Sequence, residues 1–377
     1  MPGHVTSAET QLVVTPVGPN IVLFDPVKQG CDGNDIPDMP LRVYRDAEGK
    51  VAAFALHYEN RRLSGASLEK LALDCKIVFR ATRNSDPKQY DDRAWLAATY
   101  TEDGTRVFGL VHHEFQADAH KGRCAFAEYI QCWWNSILAV SSRDGGRSFM
   151  RQSPQVAMAS PEPSEAGQGR HRGFFNPSNI VKQNGAYFTL IATTGWQGQP
   201  SGVCLFRNND PANSAGWRAY DGKDYTARFP DPYGTEKPKM GNCKPVGPFP
   251  APVGSLTRHR GTGLWVAVYQ AKAGMPDGTG GSYAVSGFYT ASSPDLLRWS
   301  PPTLVLETPT LYDSPCGARV LRSYPTLIDS SAKTRNFEDM GDAALLTFAE
   351  KRVEGCRVTH ERKLLARKVR ISRLEAQ

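Results

Sequence analysis

The sequence contains no long hydrophobic run. No apolar segment approaches the roughly 20 residues that a helix needs to cross a bilayer, and residues 1–4 (MPGH) are neither basic nor followed by an apolar stretch. We therefore expect no membrane partner, and no signal peptide is visible. A chain whose leader had been removed would look the same. A secreted or periplasmic location is favoured if a leader was removed, and a cytoplasmic one otherwise.

Several motifs of cofactor and metal chemistry are also missing. There is no G-x-G-x-x-G after a strand, no phosphate-binding loop and no G-x-S-x-G elbow, which disfavours nucleotide-dependent enzymes and serine hydrolases. The eight cysteines are dispersed, with no C-x-x-C pair and no zinc spacing, so we expect no metal site and no required cofactor. A structural divalent cation such as calcium is compatible with the sequence, but no cluster demands it. Disulfides and free buried thiols both explain the cysteines, and Cys124 and Cys132 are spaced to close a local loop.

Concentrated charge of one sign is scarce as well. The formal net charge is +7 over 377 residues, and the charges are scattered. Nucleic-acid binding requires basic side chains gathered on one face with aromatic residues between them, so we expect no nucleic-acid partner. The one dense basic run, residues 351–373, is typical of outer strands with a solvated face.

Turn-forming residues, by contrast, are abundant. The chain has 34 glycines and 27 prolines, which indicates many short strands. A hairpin pattern recurs five times, in which a short strand leads through a turn into a strongly apolar strand. The five units begin at Met39, Trp95, Asn176, Pro252 and Tyr324. Their spacing of 56–81 residues is typical of the blades of a β-propeller.

A second pattern occurs in the later part of these units. Residues 142–149 have the form S-x-D-G-G-x-S-F, residues 293–299 the form S-x-D-L-x-x-W, and residues 207–217 are a looser copy. In such a turn the aspartate caps backbone N–H groups, glycine supplies a positive φ, and the closing aromatic ring packs between neighbouring blades.

These turns resemble the Asp box of sialidases. They also resemble the S-x-D-x-x-x-W turns of five-bladed glycosidases of the arabinanase/xylosidase and invertase/levansucrase groups. The resemblance implies an all-β chain with a single five-bladed β-propeller, built from four-stranded antiparallel blades around a central channel. We expect this domain over residues 20–377, after an N-terminal extension of residues 1–19. A β-sandwich or a two-domain β protein is the alternative.

In a propeller the innermost strands begin around one mouth of the channel, so residues at those starts converge. The residues at the predicted starts are Asp35, Asp38, Asp91, Asp92, Asn176, Ser178, Ser255 and Tyr324. The glycosidases that this chain resembles have an aspartate at the start of blade one, another at blade two and a glutamate acid at blade three. The resemblance implies that Asp38, or Asp35, is the first and Asp92 the second. Asn176 stands in place of the glutamate, and an amide cannot donate a proton as an acid.

Glu114 is the best replacement for the missing acid. It follows the second strand of blade two beside His112 and His113, where partial desolvation would favour the protonated form that a general acid needs. The alternative is a glutamate at a strand edge that pairs with a neighbour. The two histidines point to opposite sides of the strand, so only one faces inward to bind substrate, bind a metal or act as a base.

Other side chains are candidates for substrate binding. Trp133 and Trp134 lie in a long segment, residues 116–135, and two adjacent tryptophans suit a sugar-stacking wall because apolar sugar faces pack on aromatic rings. Ordinary packing between blades is the alternative. Arg42, Arg172 and His171 are candidates for holding the carboxylate of an acidic sugar.

Glycoside hydrolysis needs two carboxylates across the scissile bond. The sequence therefore predicts a monomeric glycoside hydrolase that cleaves a polysaccharide or oligosaccharide with Asp38 and Glu114, while Asp92 orients or tunes them. A non-catalytic carbohydrate-binding propeller is one alternative, favoured by the loss of the glutamate at position 176. A polysaccharide lyase that uses Tyr324, His112 and Arg42 on a uronate is another.

Overall fold

The computed structural model describes residues 11–196, 198–235 and 241–374, and within these ranges the protein is all-β. The α-helix there is the single turn α1, Pro26–Gln29. Short 3₁₀ turns lie in loops at Leu68–Lys70, Pro87–Gln89, Ala117–Ala119, Tyr129–Cys132 and Ser214–Gly216. No helix in these ranges is long and apolar enough to cross a membrane.

The strands form five antiparallel groups, which we number sheets one to five. The chain begins with β1, Leu12–Phe24, which belongs to the last sheet. Sheet one contains β2 (Pro37–Arg45), β3 (Val51–Leu56), β4 (Arg61–Gly65) and β5 (Ala72–Ile77). Sheet two contains β6 (Arg93–Tyr100), β7 (Val107–Gln116), β8 (Trp133–Ser142) and β9 (Met150–Met158).

The remaining sheets follow in chain order. Sheet three contains β10 (Arg172–Phe175), β11 (Val181–Gln183), β12 (Ala186–Thr193), β13 (Gly202–Asn208), β14 (Arg218–Tyr220) and β15 (Tyr225–Ala227). A short parallel pairing of β10 with β8 joins sheet three to sheet two. Sheet four contains β16 (Val253–His259), β17 (Trp265–Ala271), β18 (Gly287–Ser293) and β19 (Thr303–Glu307). Sheet five contains β20 (Val320–Ile328), β22 (Ala343–Glu354), β23 (Arg357–Arg373) and β1, and the short β21 (Asp339–Met340) pairs with β16.

Each predicted hairpin is present as two paired strands. The five pairs are β2–β3, β6–β7, β11–β12, β16–β17 and β20–β22. The S-x-D turns connect the third and fourth strands of their sheets. In one of them Asp144 Oδ1 accepts hydrogen bonds from the backbone N–H groups of Arg147 and Ser148 at 2.9 and 3.0 Å. The closing Phe149 packs edge-on against Phe54 of sheet one, with 5.9 Å between ring centroids.

The N-terminal strand is the outer strand of sheet five. β1 pairs antiparallel with β23, so the two ends of the chain share one sheet. The sequence boundary put residues 1–19 in an extension, whereas β1 begins at Leu12 within that range. The strand pattern is hidden there because the register shifts between Val17 and Asn20, around a positive-φ Gly18 that lies between two prolines.

Five large clusters of buried apolar side chains lie between neighbouring sheets, and a small sixth one, Met39 with Trp95 and Ala97, lies between sheets one and two. In β3, Ala52 and Phe54 pack toward sheet two, whereas Val51 and Ala53 pack toward sheet five. Successive side chains of a strand point to opposite faces, so a strand that is buried on both faces serves two clusters. The other three clusters join sheet two to three, three to four and four to five.

Four disulfides pair all eight cysteines. The pairs are Cys31–Cys75, Cys124–Cys132, Cys204–Cys243 and Cys316–Cys356. Of the two alternatives that the sequence left open, the structure therefore has disulfides. The 124–132 pair closes the local loop that the spacing indicated.

The insertion between β20 and β22 contacts the far ends of the inner strands. Arg335 Nη1 donates to the carbonyl of Arg45 at 3.0 Å, and Asn336 Nδ2 donates to the carbonyl of Thr101 at 2.9 Å. The carbonyl of Glu338 accepts a hydrogen bond from the end of β16. The insertion thus joins three sheets at the end of the inner strands that lies away from the cavity described next.

Candidate active site

A cavity of about 840 Å³ lies where the inner strands begin. Each sheet contributes to its wall, through Pro40, Glu114, Phe175, Gly254 and Tyr324 in chain order. The volume is within the range of roughly 300–1,000 Å³ that is usual for small-ligand sites. Of the sequence-predicted site residues, the cavity brings together His112, Glu114, Asn176 and Tyr324.

Glu114 reaches the cavity because of the two-residue period of β7. His112, Glu114 and Gln116 lie on one face of this strand, and the residues between them face the core. One carboxylate oxygen of Glu114 lies 2.8 Å from His112 Nε2, and the other accepts a hydrogen bond from Gln116 Nε2 at 2.6 Å. Both oxygens are therefore held by nitrogen groups of the same strand, which fixes the carboxylate in the cavity wall.

The proton position on His112 follows from its second nitrogen. The backbone N–H of Asn176 donates to His112 Nδ1 at 3.3 Å, so the ring carries its proton on Nε2 and donates it to Glu114. Asn176 has φ +49°, in the left-handed region that asparagine tolerates better than most residues. Asn176 thus orients the histidine that orients Glu114.

Asp38 lies on β2 among three nitrogen groups. Its carboxylate contacts Arg362 Nη1, and it lies 3.5 Å from both Lys351 Nζ and His57 Nε2. Burial would raise the pKa of Asp38, but the positive charges of Lys351 and Arg362 outweigh it and hold that pKa below its usual range. Asp38 is therefore an ionised carboxylate at neutral pH.

The two cations beside Asp38 stand directly opposite each other. Lys351 on β22 and Arg362 on β23 are paired in register. Like charges in this position repel, and their desolvation adds to the cost. Burial, together with the nearby Arg362, lowers the pKa of Lys351 to about 8. One carboxylate therefore faces two cations next to Tyr324, and none of the three charged side chains is itself among the residues that line the cavity.

Tyr324 connects the Asp38 cluster to the cavity. Its ring lies 4.9 Å from Lys351 Nζ, and its hydroxyl lies 3.5 Å from Asp38. Burial and the negative charge of Asp38 raise the pKa of Tyr324 well above its usual value. The phenol therefore stays protonated and serves as a hydrogen-bond donor rather than as a base.

The pKa values of His57 and Tyr324 are both affected by the two carboxylates, Asp38 and Glu114. The charges of Asp38 and Glu114 each act on His57 and on Tyr324. Burial lowers the pKa of His57 to about 4, so its ring is neutral near pH 7. His57 and Tyr324 therefore lie close enough to both carboxylates to be affected by the charge of each.

Asp92 does not line the cavity. It is buried, and it contacts Arg93 Nη1 at 2.9 Å and His120 Nε2 at 3.2 Å. It also accepts a hydrogen bond from the backbone N–H of Gln116 at 2.8 Å. Because the side chain of Gln116 holds Glu114, Asp92 acts on the site only through that residue.

Three other predicted residues have partners outside the cavity. Asp35 accepts hydrogen bonds from the backbone N–H groups of Cys31 and Asp32 and pairs with Arg61, so it organises the turn before β2. Asp91 contacts Arg151 in sheet two. Arg42 is buried, and its guanidinium donates to three backbone carbonyls of sheets two, three and four, those of Ala97, Pro177 and Gly254.

His113, Trp134 and Ser178 face the protein core. His113 Nδ1 lies 3.0 Å from Ser136 Oγ, and burial lowers its pKa well below the usual value. Trp134 is fully buried and donates to Ser160 Oγ at 2.9 Å. The hydroxyl of Ser178 donates to the carbonyl of Asn179 and accepts a hydrogen bond from the backbone N–H of Leu190. Trp133, the preceding residue, lines the cavity instead.

Sequence reasoning missed His57, Lys351 and Arg362, and of the two adjacent tryptophans it selected Trp134 rather than Trp133. Lys351 and Arg362 lie in the basic run that was interpreted as a solvated face, yet both contact Asp38. The alternation of β8 does place Trp133 and Trp134 on opposite sides, but the sequence does not indicate which side faces the cavity. Of the two groups proposed to hold an acidic sugar with Arg42, His171 lines the cavity, and Arg172 lies near Glu162.

Metal ligation is not apparent in the described ranges. Within them, no group of three or more His, Cys, Asp or Glu side chains is arranged to hold a metal ion. The nitrogen-rich surroundings of Asp38 repel cations.

Comparison with known proteins gives similarity of fold without similarity of sequence. No family model and no curated protein matches the chain. A family 117 glycoside hydrolase of Zobellia galactanivorans is 8% identical with a TM-score of 0.51, and the match covers 96% of this chain and 90% of that one. A glycosyl hydrolase of Bacteroides ovatus is 12% identical (TM-score 0.46, covering 94% and 90%), and an α-L-arabinofuranosidase of Podospora anserina is 8% identical (TM-score 0.43, covering 96% and 96%). The resemblance to glycoside hydrolases that the sequence indicated is confirmed at the level of the fold.

Proposed function

We propose that this chain is a glycoside hydrolase, that its five sheets are the blades of a closed five-bladed β-propeller, and that Asp38 and Glu114 are its catalytic carboxylates. The observation that carries the proposal is that Glu114 lines the cavity, while the hydroxyl of Tyr324 in the same wall lies 3.5 Å from the differently held carboxylate of Asp38. Neither carboxylate accepts the backbone hydrogen bonds of a turn, as Asp35 does.

Closure of the propeller is supported by the number of interfaces. Five sheets in an open row have four interfaces between neighbours, whereas apolar clusters occupy five such interfaces here. The additional cluster joins sheet five to sheet one, with Phe24 and Leu345 against Leu41 and Leu56. Pairing of β1 with β23 completes the last blade from both ends of the chain, which is how a ring of blades is closed without free edges.

Different environments assign different roles to the carboxylates. Lys351 and Arg362 keep Asp38 ionised, as a base or nucleophile must be. Glu114 is then the proton donor to the departing sugar oxygen. His112, 2.8 Å from Glu114, holds the orientation of that carboxyl group. The hydroxyl of Tyr324 donates toward Asp38 at 3.5 Å.

A non-catalytic sugar-binding protein is the second candidate. Asn176 supports it, because this cavity residue replaces the glutamate acid of the glycosidases that the sequence resembles. A lyase is disfavoured, since a tyrosine base must lose its proton and the surroundings of Tyr324 oppose that loss.

The proposal is tested by release of reducing sugar from a panel of polysaccharides and oligosaccharides. Asp38→Asn and Glu114→Gln keep the shapes of both side chains and remove their acid–base function. Loss of one such group costs about 10²–10⁴-fold in rate. Asp91→Asn and Glu102→Gln are the matched controls, because both residues pair with cations away from the cavity.

Loss of turnover in the two site variants, with parental activity in the controls and unchanged melting temperatures, supports the hydrolase. Sugar binding by calorimetry without any release of reducing ends would instead support the non-catalytic candidate. Full activity in Glu114→Gln and Asp38→Asn would contradict the assignment of the pair.

A further inference from the structure

One rim of the cavity carries exposed apolar side chains. Tyr129 is 54% exposed, and Ile130 and Phe126 are each 37% exposed. All three belong to the segment between β7 and β8, and Ile130 also lines the cavity. Exposed apolar groups that continue into a ligand cavity are typical of a binding surface.

The segment is held rigidly in place. The Cys124–Cys132 disulfide closes it, and the backbone N–H of Ala125 donates to the carbonyl of Ala166 at 2.9 Å. Trp133 Nε1 donates to Asp118 Oδ1 at 3.1 Å, which fixes the indole at the end of the segment. A binding surface that is ordered before the ligand arrives loses little conformational entropy on binding.

A row of rings runs from this rim into the cavity. Ring centroids of Tyr129 and Trp133 are 5.1 Å apart, those of Trp133 and His171 are 6.1 Å apart, and those of His171 and Phe175 are 5.2 Å apart. The interplanar angles are 57°, 83° and 40°, so neighbouring rings do not cover one another face to face. Trp133, His171 and Phe175 line the same cavity as Glu114.

We infer that this row is a track for the sugar units that extend from the scissile bond out of the cavity, so the substrate is a chain rather than a single glycoside. The inference rests on the proposed function and specifies the substrate class of the same site. Sugar rings have apolar C–H faces that pack on aromatic rings. Asn135, which accepts a hydrogen bond from His171 Nε2 at 3.0 Å, supplies polar atoms beside the row for sugar hydroxyls.

The row of rings is continuous with the cavity, which is the reason for proposing a sugar chain as its ligand. The inner rings line the same cavity as Glu114, so a ligand that fills the cavity also covers the outer rings if it is long enough. The track predicts that affinity rises with chain length and that the exposed outer ring contributes only to long ligands.

The test compares a long and a short substrate. Tyr129→Ala and Trp133→Ala are each expected to raise KM for an oligosaccharide of several units about tenfold, the effect of losing one stacked ring. In Tyr129→Ala, whose ring is not among the residues that line the cavity, the KM for an aryl monoglycoside of the same sugar and the kcat for both substrates stay at the parental values. Met150→Ala, an exposed apolar residue of β9 outside the cavity, is the control.

A binding measurement separates the two proposals. In Glu114→Gln protein, calorimetry against oligosaccharides of increasing length shows a gain with length that Tyr129→Ala removes. If the parent cleaves sugars but the ring variants change long and short substrates equally, or change neither, the track is wrong while the hydrolase stands. If the parent neither cleaves nor binds any sugar, both proposals are overturned.

Discussion

At the scale of single residues, the two opposed cations beside Asp38 are the feature that most needs a reason. Lys351 and Arg362 face each other across neighbouring strands, and one carboxylate lies between them. Apolar side chains at both positions would stabilise the sheet without repulsion. Local choices that oppose stability are expected at functional sites. Their function here is to keep Asp38 ionised.

The pH profile tests this function of Lys351. Its pKa of about 8 means that the ammonium is charged below that pH and neutral above it. We expect kcat/KM to fall as the pH rises through about 8, because Asp38 then loses one of its two cations. Lys351→Arg, whose guanidinium stays charged, moves the fall to higher pH. An alkaline limb at the same pH in Lys351→Arg would assign it to another group.

The sequence indicated only some of the residues of the candidate site. Glu114 and His112 were predicted because the two-residue period of a strand and the chemistry of a carboxylate beside imidazoles are local features. Lys351 and Arg362 were not, because they are 313 and 324 residues from Asp38 along the chain. A basic run looks the same whether it faces water or a distant carboxylate, so the pairing is visible only after folding.

At the scale of elements, the prediction of the fold depended on the turns between paired strands. The five hairpins were predictable because proline, glycine and charged residues separate short apolar strands. β1 was not, because its partner β23 is at the other end of the chain and a bulge interrupts its period. The docking of the insertion between β20 and β22 on three other sheets depends on contacts that no local pattern contains.

Glu338 in this insertion predicts a pH effect on stability. Burial, with Glu102 nearby, raises its pKa from an ordinary 4.5 to about 7. Between these values the folded protein holds a proton that the unfolded chain has lost, so this residue makes stability fall as pH rises from 4.5 to 7. Glu338→Gln does not suffer this pH-dependent loss of stability. The free energy of unfolding of the variant minus that of the parent is therefore larger at pH 8 than at pH 5, by on the order of 2 kcal/mol.

Chemical denaturation at the two pH values measures this difference, with the exposed Glu69→Gln as the control. A relative stability of Glu338→Gln that is equal at pH 5 and pH 8 would mean that the carboxyl of Glu338 is not buried as described.

At the scale of the whole molecule, Arg42 connects the inner strands. Its guanidinium is buried and donates to backbone carbonyls of three other sheets at 2.5–2.9 Å. Burial without a carboxylate partner lowers its pKa to about 9. The sequence made Arg42 a substrate ligand because it is a charged residue near the pocket, whereas its hydrogen bonds are those of a central brace. Two of the three carbonyls, those of Ala97 and Gly254, lie at register shifts of their strand pairs, so a side chain has to supply their hydrogen-bond donor.

Arg42→Met therefore destabilises the protein by about 3–5 kcal/mol, because three buried carbonyls lose their donor. Arg42→Lys recovers only part of this, since an ammonium lacks the planar fork that spans three acceptors. Urea unfolding measures both variants. A loss below about 1 kcal/mol in Arg42→Met would contradict the role of this residue as a brace between sheets.

The central claim is that Glu114 and Asp38 act as acid and as base or nucleophile, and the dependence of rate on the leaving group tests it most directly. A dinitrophenyl glycoside departs without protonation, whereas a sugar leaving group needs the acid. We predict that Glu114→Gln cleaves the dinitrophenyl substrate within about tenfold of the parent and loses about 10²–10⁴-fold on the sugar-linked one, while Asp38→Asn loses both. Equal losses of Glu114→Gln on the two substrates, or parental rates in Asp38→Asn, would contradict the account.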